Sequence, residues 1–222
     1  MPRPLRLKEL TPGEAAAALA RAGRLIVPVG TLEVRGPHLP LGCDTVIVEH
    51  LADQASARTG VPCAPVIEYG VHASADLTTP GLASLSRKTL HRVMNELIAA
   101  WEIDAKVKEF MILTAHAADA HQEALSTIRA LGEIRFFDVL DLDPEATQAT
   151  VGMSAPPPSL LETALMLHLA PEQVRLELVP PSLGATAEQG ARLAERILDM
   201  LGRYLGCDPA ASLSTAPGVA GV

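Results

Sequence analysis

Between Val27 and Thr45 the sequence VPVGTLEVRGPHLPLGCDT sets Glu33, His38 and Asp44 directly after an apolar run, with glycines and prolines stiffening the backbone between them. Carboxylates and imidazole gathered in a rigid loop of this kind are the usual donors for a hard or borderline metal ion. The plainer alternative is an exposed loop with ordinary surface charges. A second group follows the apolar segment Phe110–Leu113, where the chain runs straight into His116, with Asp119 and His121 just beyond.

The elements that must position these residues alternate between strand and helix. Thr11-Pro12-Gly13-Glu14 is a capping box with proline at the first helical position, which opens an Ala-rich helix. Leu25–Val29 reads as a buried strand, and Asp44 or Thr45 caps a helix running to about Arg58. Cys63–Ile67 is expected as a second strand and 70–86 as a loop. Ser86 opens a helix to about Ala105 with Leu90, Val93, Leu97 and Ile98 on one face. Phe110–Leu113 makes a third strand, 119–131 a helix, Arg135–Leu140 a fourth strand, and 159–169 and 186–205 two further helices, the loop 141–158 ending in three prolines.

This alternation predicts an α/β fold, a three-layer α/β/α sandwich with a mostly parallel central sheet. It forms a single domain over 1–207, followed by a mobile Ala/Pro/Ser/Gly tail over 208–222. Ligands of such sheets sit beyond the carboxyl ends of the strands. Glu33 lies four residues past Val29 and His116 three past Leu113, so two strand ends deliver potential ligands to one edge.

Composition narrows the partners. An apolar share of 48% excludes an intrinsically disordered chain. A net charge of −8 with only 3% aromatics argues against nucleic acid and against an anionic membrane surface. Three cysteines (Cys43, Cys63, Cys207) without CxxC spacing indicate a reduced, cytoplasmic protein. The N-terminus has no signal-peptide pattern, and no run reaches the ~18 apolar residues of a spanning helix. Dinucleotide, P-loop, HExxH and GxSxG patterns are missing, as are internal repeats.

The stretch 27–45 resembles the signature of the creatininase (creatinine amidohydrolase) family, P-V-G-S-x-E-Q-H-G-P-H-L-P-L-x-T-D. Four further segments follow in the family's order: Ile67–Gly70 to Thr79-Pro80-Gly81, Leu113–Asp119, Leu161–Leu167 and Ala185–Gly190. The resemblance implies a single α/β/α domain, usually in a homohexamer, with a zinc or manganese pair that hydrolyses amide-type C–N bonds of small cyclic or formyl-amide substrates. It assigns one metal to Glu33, Asp44 and His116, three ligands that leave a position open for water, as catalytic zinc sites do. A metal held this way lowers the pKa of water toward ~7. The resemblance gives Glu162 a supporting place behind the metal region and keeps His38, which is expected to hydrogen-bond within the loop.

Several chemical positions depart from the family pattern. The second-metal His is Arg35, Ala117 and Ala118 replace two glycines, Asp119 replaces Asn, Asp76 replaces a His, and Met153 stands where a catalytic His is expected. A guanidinium has no lone pair to donate and stays charged. At ~4 Å and an effective dielectric near 20 it repels a dication by roughly 8 kcal/mol before relaxation. One metal is therefore expected, or none. Arg35 can clamp a carboxylate or stabilise an oxyanion, or turn outward, or pair with Glu33. Asp119 and His121 are the candidates for a replacement base, with Asp119 also able to pair with Arg35 or to cap the helix it opens. Glu162 can complete a capping box with Ser159, and Cys43 is a small buried filler. Three functions follow: a hydrolase working with one metal or a rearranged site, a catalytically inactive binding or scaffold subunit of an oligomer, or a new ligand site in which Arg35 binds an anion without catalysis.

Overall fold

The computed structural model describes residues 2–72, 79–142, 147 and 159–206. Asp76, Met153, the three prolines 156–158 and the segment 208–222 lie outside them.

Helix α1 (Pro12–Ala22) starts at the expected capping box, in which the Thr11 side chain accepts from the Glu14 backbone N–H and Glu14 reaches back to the Thr11 N–H. Strand β1 (Arg24–Val29) leads through the loop 30–42 into α2 (Cys43–Thr59). Helix α3 (Arg87–Ala105) is capped by Ser86 and buries Leu90, Met94 and Ile98, one residue every turn of an i, i+4, i+8 stripe. Then follow β2 (Glu109–Thr114), α4 (Asp119–Ser126), β3 (Glu133–Asp138), α5 (Leu160–Leu169) and α6 (Ala187–Tyr204), the last with a second capping box at Thr186 and Gln189.

The three strands form a parallel sheet in the order β1-β2-β3. Their register pairs Val29 with Thr114 and Thr114 with Asp138, so the three carboxyl ends finish level. Alternation along the strands divides the core in two. Leu25, Val27 and Val29 join Phe110 and Ile112 against α1, α3 and α4 on one face. Ile26 joins Met111 and Leu113 against α2, α5 and α6 on the other. That gives the α/β/α layering, with strands buried on both faces as parallel sheets require.

Cys63–Ile67 is not a strand of this sheet. It runs parallel to the free edge of β1 through isolated bridges, with Ile26 N–H bonded to Pro62 O, Ala64 N–H to Ile26 O and Gly30 N–H to Ile67 O. Pro62 and Pro65 lack the N–H groups a continuous ladder needs. Two other expected bounds shift: α4 stops at Ser126 rather than near 131, and β3 covers 133–138 rather than 135–140.

The path is nonetheless decisive. From β1 the chain crosses by α2, on one face, to 62–67; it then crosses by α3, on the opposite face, to β2. The connections after β1 and β2 leave the sheet on opposite faces, and the crevice between their ends is a topological switch point, where open α/β sheets bind ligands.

Helix α2 comes very close to the end of β1. A Cβ at Gly30 would lie 2.1 Å from Thr45 Oγ1 and 2.6 Å from Thr45 Cα. Gly30→Ala is therefore expected to push the first turn of α2 outward and to destabilise the fold by about 1–3 kcal/mol in chemical denaturation. Gly13→Ala, whose Cβ meets nothing within 4 Å, should produce no loss.

Candidate metal centre

Three elements converge at the switch point. The loop after β1 supplies Glu33 and Arg35, the first turn of α2 supplies Asp44, and the end of β2 supplies His116. One ligand atom from each of Glu33, Asp44 and His116 lies within 4.8 Å of the others, the one such triplet among the described residues.

Asp44 does not cap α2. The N-cap is Gly42, with no side-chain hydrogen bond, and Asp44 sits at the second helical position with its carboxylate turned into the site. Its Oδ2 accepts from Thr31 Oγ1 at 2.7 Å and from Arg35 Nη2 at 2.8 Å, and its Oδ1 accepts from Arg35 Nε at 3.1 Å. Burial alone would push this carboxyl up, but the hydrogen bonds and charge of Arg35, with the Thr31 hydroxyl, outweigh it and hold it below the ordinary aspartate range. The amino end of α2 adds a favourable dipole.

The tautomer of His116 follows from its neighbours. Nε2 lies 3.0 Å from the Val71 carbonyl, an acceptor only, so Nε2 carries a proton. Nδ1 faces Asp44 Oδ2 and Glu33 Oε2, each at 3.0 Å, and Arg35 Nη2 at 2.8 Å. Glu33 Oε2 is buried without a hydrogen-bond partner despite that proximity. His116 Nδ1 and two carboxylate oxygens, one of them the orphaned Glu33 Oε2, converge on one point, a donor arrangement for a cation. The Nε2–H bond to a backbone carbonyl is the outer support that metal-binding histidines use.

Arg35 is the second cation of the site. Besides its two bonds to Asp44, it lies 3.8 Å from Glu33 Oε2 and 3.7 Å from Glu162 Oε1, with its side chain 21% exposed. Desolvation would lower its affinity for the proton, but the Asp44 hydrogen bonds and charge reverse that and raise it further. The guanidinium is fixed in place by carboxylates. It neither turns outward nor pairs with Asp119.

Asp119 is exposed at the first position of α4, whose N-cap is Ala118 with no side-chain bond. It therefore neither caps the helix nor reaches Arg35. His121 is fully buried. Its Nδ1 accepts from the Val71 N–H at 3.1 Å, which leaves Nε2–H to donate to Thr114 Oγ1 at 2.9 Å. Burial, reinforced by His116, pushes its pKa down to about 3. Both nitrogens are engaged, unlike those of a free base.

Glu162 is buried on α5 beside Arg35, and burial pushes its carboxyl up. The expected box with Ser159 is not formed: Ser159 has no capping bond and its Oγ–H donates to Arg35 O at 2.8 Å instead, tying α5 to the site loop. His38 lies under the loop, its Nε2–H donating to Thr163 Oγ1 at 2.8 Å, and its pKa is lowered by desolvation. Cys43 is a fully buried free thiol whose pKa burial drives up, in keeping with a filler role.

Some contributors carry no motif. Thr31 and Val71 act through one hydroxyl and one peptide. Gln122 Nε2 donates to His116 O at 3.2 Å and to Asp138 Oδ2 at 2.7 Å. Asp138 stands at the carboxyl end of β3, a place that the strand-end rule could have flagged, and burial pushes it up to about 6.

A sequence profile described as Creatininase: Creatinine amidohydrolase matches residues 8–200. The chain is 31% identical over 83 residues to the 3-dehydro-scyllo-inosose hydrolase of Thermotoga maritima, covering 37% of this chain and 27% of that protein. It is 26% identical over 168 residues to the mycofactocin precursor peptide peptidase of Mycobacterium tuberculosis, covering 69% of this chain and 61% of that protein. The chain thus spans less than two thirds of either relative. Among solved structures, a creatinine amidohydrolase (creatininase) superposes with a TM-score of 0.74 at 21% identity, over 91% of this chain and 98% of the other. A structure described as Creatininase Mn does so with a TM-score of 0.74 at 20% identity, over 91% and 99%.

Two outcomes follow from the charges. Arg35→Gln leaves buried carboxylates without their counter-charge, so denaturant titration of the metal-free protein should show a loss on the order of 3 kcal/mol, largely restored by added zinc or manganese. Asp138 has a raised folded-state pKa, so its contribution is most favourable below the unfolded value near ~3.9 and is lost as pH rises through about 6. In metal-free protein that loss amounts to on the order of 2–3 kcal/mol, and Asp138→Asn should flatten the stability profile between these limits.

Proposed function

The chain belongs to the creatininase family, and from that premise we propose that it is a metal-dependent hydrolase of a C–N bond in a small cyclic-amide or formamide-like substrate. The reading takes one divalent ion, zinc or manganese, held by Glu33, Asp44 and His116. The observation that carries it is the convergence of Glu33 Oε2 and Asp44 Oδ2, each 3.0 Å from the Nδ1 of a histidine whose Nε2 is committed to Val71 O. A dication fits the charge as well, since three buried carboxylates (Glu33, Asp44, Glu162) face one guanidinium.

When bound, such an ion supplies Lewis acidity and lowers the pKa of water. The chain's own residues do the rest. Thr31 and Arg35 hold the Asp44 carboxylate in one orientation through three hydrogen bonds. Arg35, still partly exposed, presents N–H donors toward charge developing on a substrate carbonyl oxygen. Asp119, exposed three residues after His116, is the candidate to exchange protons with solvent. Glu162 keeps the far side of the guanidinium in place. On this reading the protein works in the cytoplasm as a homo-oligomer, a hexamer; buried free Cys43 and Cys63 support a reducing compartment.

A second reading, an inactive binding or scaffold subunit, has one observation in its favour. Arg35 Nη2 stands 2.8 Å from both Asp44 Oδ2 and His116 Nδ1, so the guanidinium can itself serve as the site's cation. Elemental analysis of tag-free protein, prepared without chelator and after zinc or manganese loading, separates the two. About one metal per chain, lost in His116→Ala, is the expected result, and Arg35→His should raise the capacity to two. No metal under any loading would sink the hydrolase and leave the scaffold.

A further inference from the structure

Two histidines grip one peptide unit. The Val71 N–H donates to His121 Nδ1 at 3.1 Å, and the Val71 carbonyl accepts from His116 Nε2–H at 3.0 Å. The rings stand edge to face, centroids 5.0 Å apart at 86°. We propose that His121 is a positioning residue, which acts through the Val71 peptide to fix the His116 ring with its proton on Nε2 and its Nδ1 lone pair turned into the carboxylate cluster. This role rests on the reading of Glu33, Asp44 and His116 as a metal centre.

The chain of contacts is specific at each link. His121 cannot adopt the other neutral tautomer, because Nδ1 must stay unprotonated to accept from a backbone N–H. Nε2–H is then directed to Thr114 Oγ1 at the end of β2, which orients the ring from behind. The ring is fully buried, so solvent offers no competing partner. Gly70 makes the approach possible. A Cβ there would lie 2.4 Å from Thr31 Cγ2 and 2.6 Å from both Gly30 O and His121 Cε1. The neighbouring helical residue works in parallel, Gln122 holding the His116 carbonyl at 3.2 Å. The first turn of α4 thereby fixes both the ring and the backbone of His116. Outer partners of this kind typically carry 10- to 100-fold in metal affinity.

The test compares two near-isosteric replacements. His121→Asn keeps an acceptor near the Nδ1 position for the Val71 N–H, whereas His121→Gln keeps a group only near Nε2. The first readout is the His116 imidazole N–H in metal-free, 15N-histidine-labelled protein, followed by NMR. The second is zinc affinity by competition with a chromophoric chelator, and thermal melting of the metal-free variants controls for folding. Expected is a protected Nε2–H signal in wild type and His121→Asn. In His121→Gln its exchange should be at least ten-fold faster and zinc affinity at least ten-fold weaker, at a melting temperature matching that of the Asn variant. Equal signals and affinities in the two variants, or losses that follow melting temperature alone, overturn the positioning role while leaving the metal centre standing. A wild type that binds no zinc, yet whose His116 N–H still depends on the Nδ1 acceptor, overturns the metal reading and keeps the positioning role.

Discussion

The structure turns on a concentration of buried negative charge at the carboxyl edge of the sheet. Glu33, Asp44 and Glu162 are all nearly excluded from water, and charges of one sign cannot be held together at such distances without a cation among them. Arg35 supplies one positive charge, through a two-point contact with Asp44 and looser approaches to the other two carboxylates. That leaves the cluster net negative. Burial raises the proton affinity of Glu162, and Glu33 Oε2 stays without a hydrogen bond. The neighbouring elements organise this charge: Thr31 donates to Asp44, Ser159 pins the Arg35 backbone, and the Val71 carbonyl accepts from His116 Nε2–H.

The backbone makes that concentration possible. Level strand ends bring the β1 loop and the β2 loop to the same height, and connections that leave β1 by α2 and β2 by α4 on opposite faces open the crevice between them. Gly30 lets the first turn of α2 come against β1, which is why Asp44 faces the site rather than solvent. The large apolar core, filled almost without aromatics, serves mainly to hold these ends rigid. Fully buried Leu25, Ile26, Met111, Ile112 and Leu113 immobilise β1 and β2.

Much of this was legible in the residues. Helix starts at Thr11, Ser86 and Thr186 were readable because capping is local chemistry. The layering followed from the alternation of apolar runs with helical periods. The convergence of Glu33, Asp44 and His116 was legible through spacing from two strand ends together with the signature stretch. What failed was competition between local and tertiary partners. Asp44 and Glu162 have the sequence context of capping residues, but buried cationic neighbours claim their carboxylates. Cys63–Ile67 has a strand's apolar content, but its prolines remove the donors. Thr31, Val71 and Gln122 were unreadable because a single hydroxyl, a backbone peptide and a surface-type amide carry no pattern until the fold brings them to Asp44 and His116.

A guanidinium at Arg35, where the family resemblance implies a histidine, sets the electrostatic logic of the proposed metal site. A histidine ligand is neutral, so a site built on it needs all its positive charge from ions. A guanidinium is a permanent charge that cannot be given up by deprotonation, and here it makes two hydrogen bonds to the Asp44 carboxylate. The positive charge built into the chain therefore offsets part of the carboxylate charge and repels a cation placed beside it. What remains uncompensated, after Arg35 is counted, is the charge that a single dication neutralises, and the remaining convergent atoms (Glu33 Oε2, Asp44 Oδ2 and His116 Nδ1) are three. Charge and donor number thus both favour the one-ion reading proposed above. The inactive-subunit reading shares this balance up to its last step and differs in letting a proton on Glu162, whose carboxyl burial pushes up, make up part of the remainder.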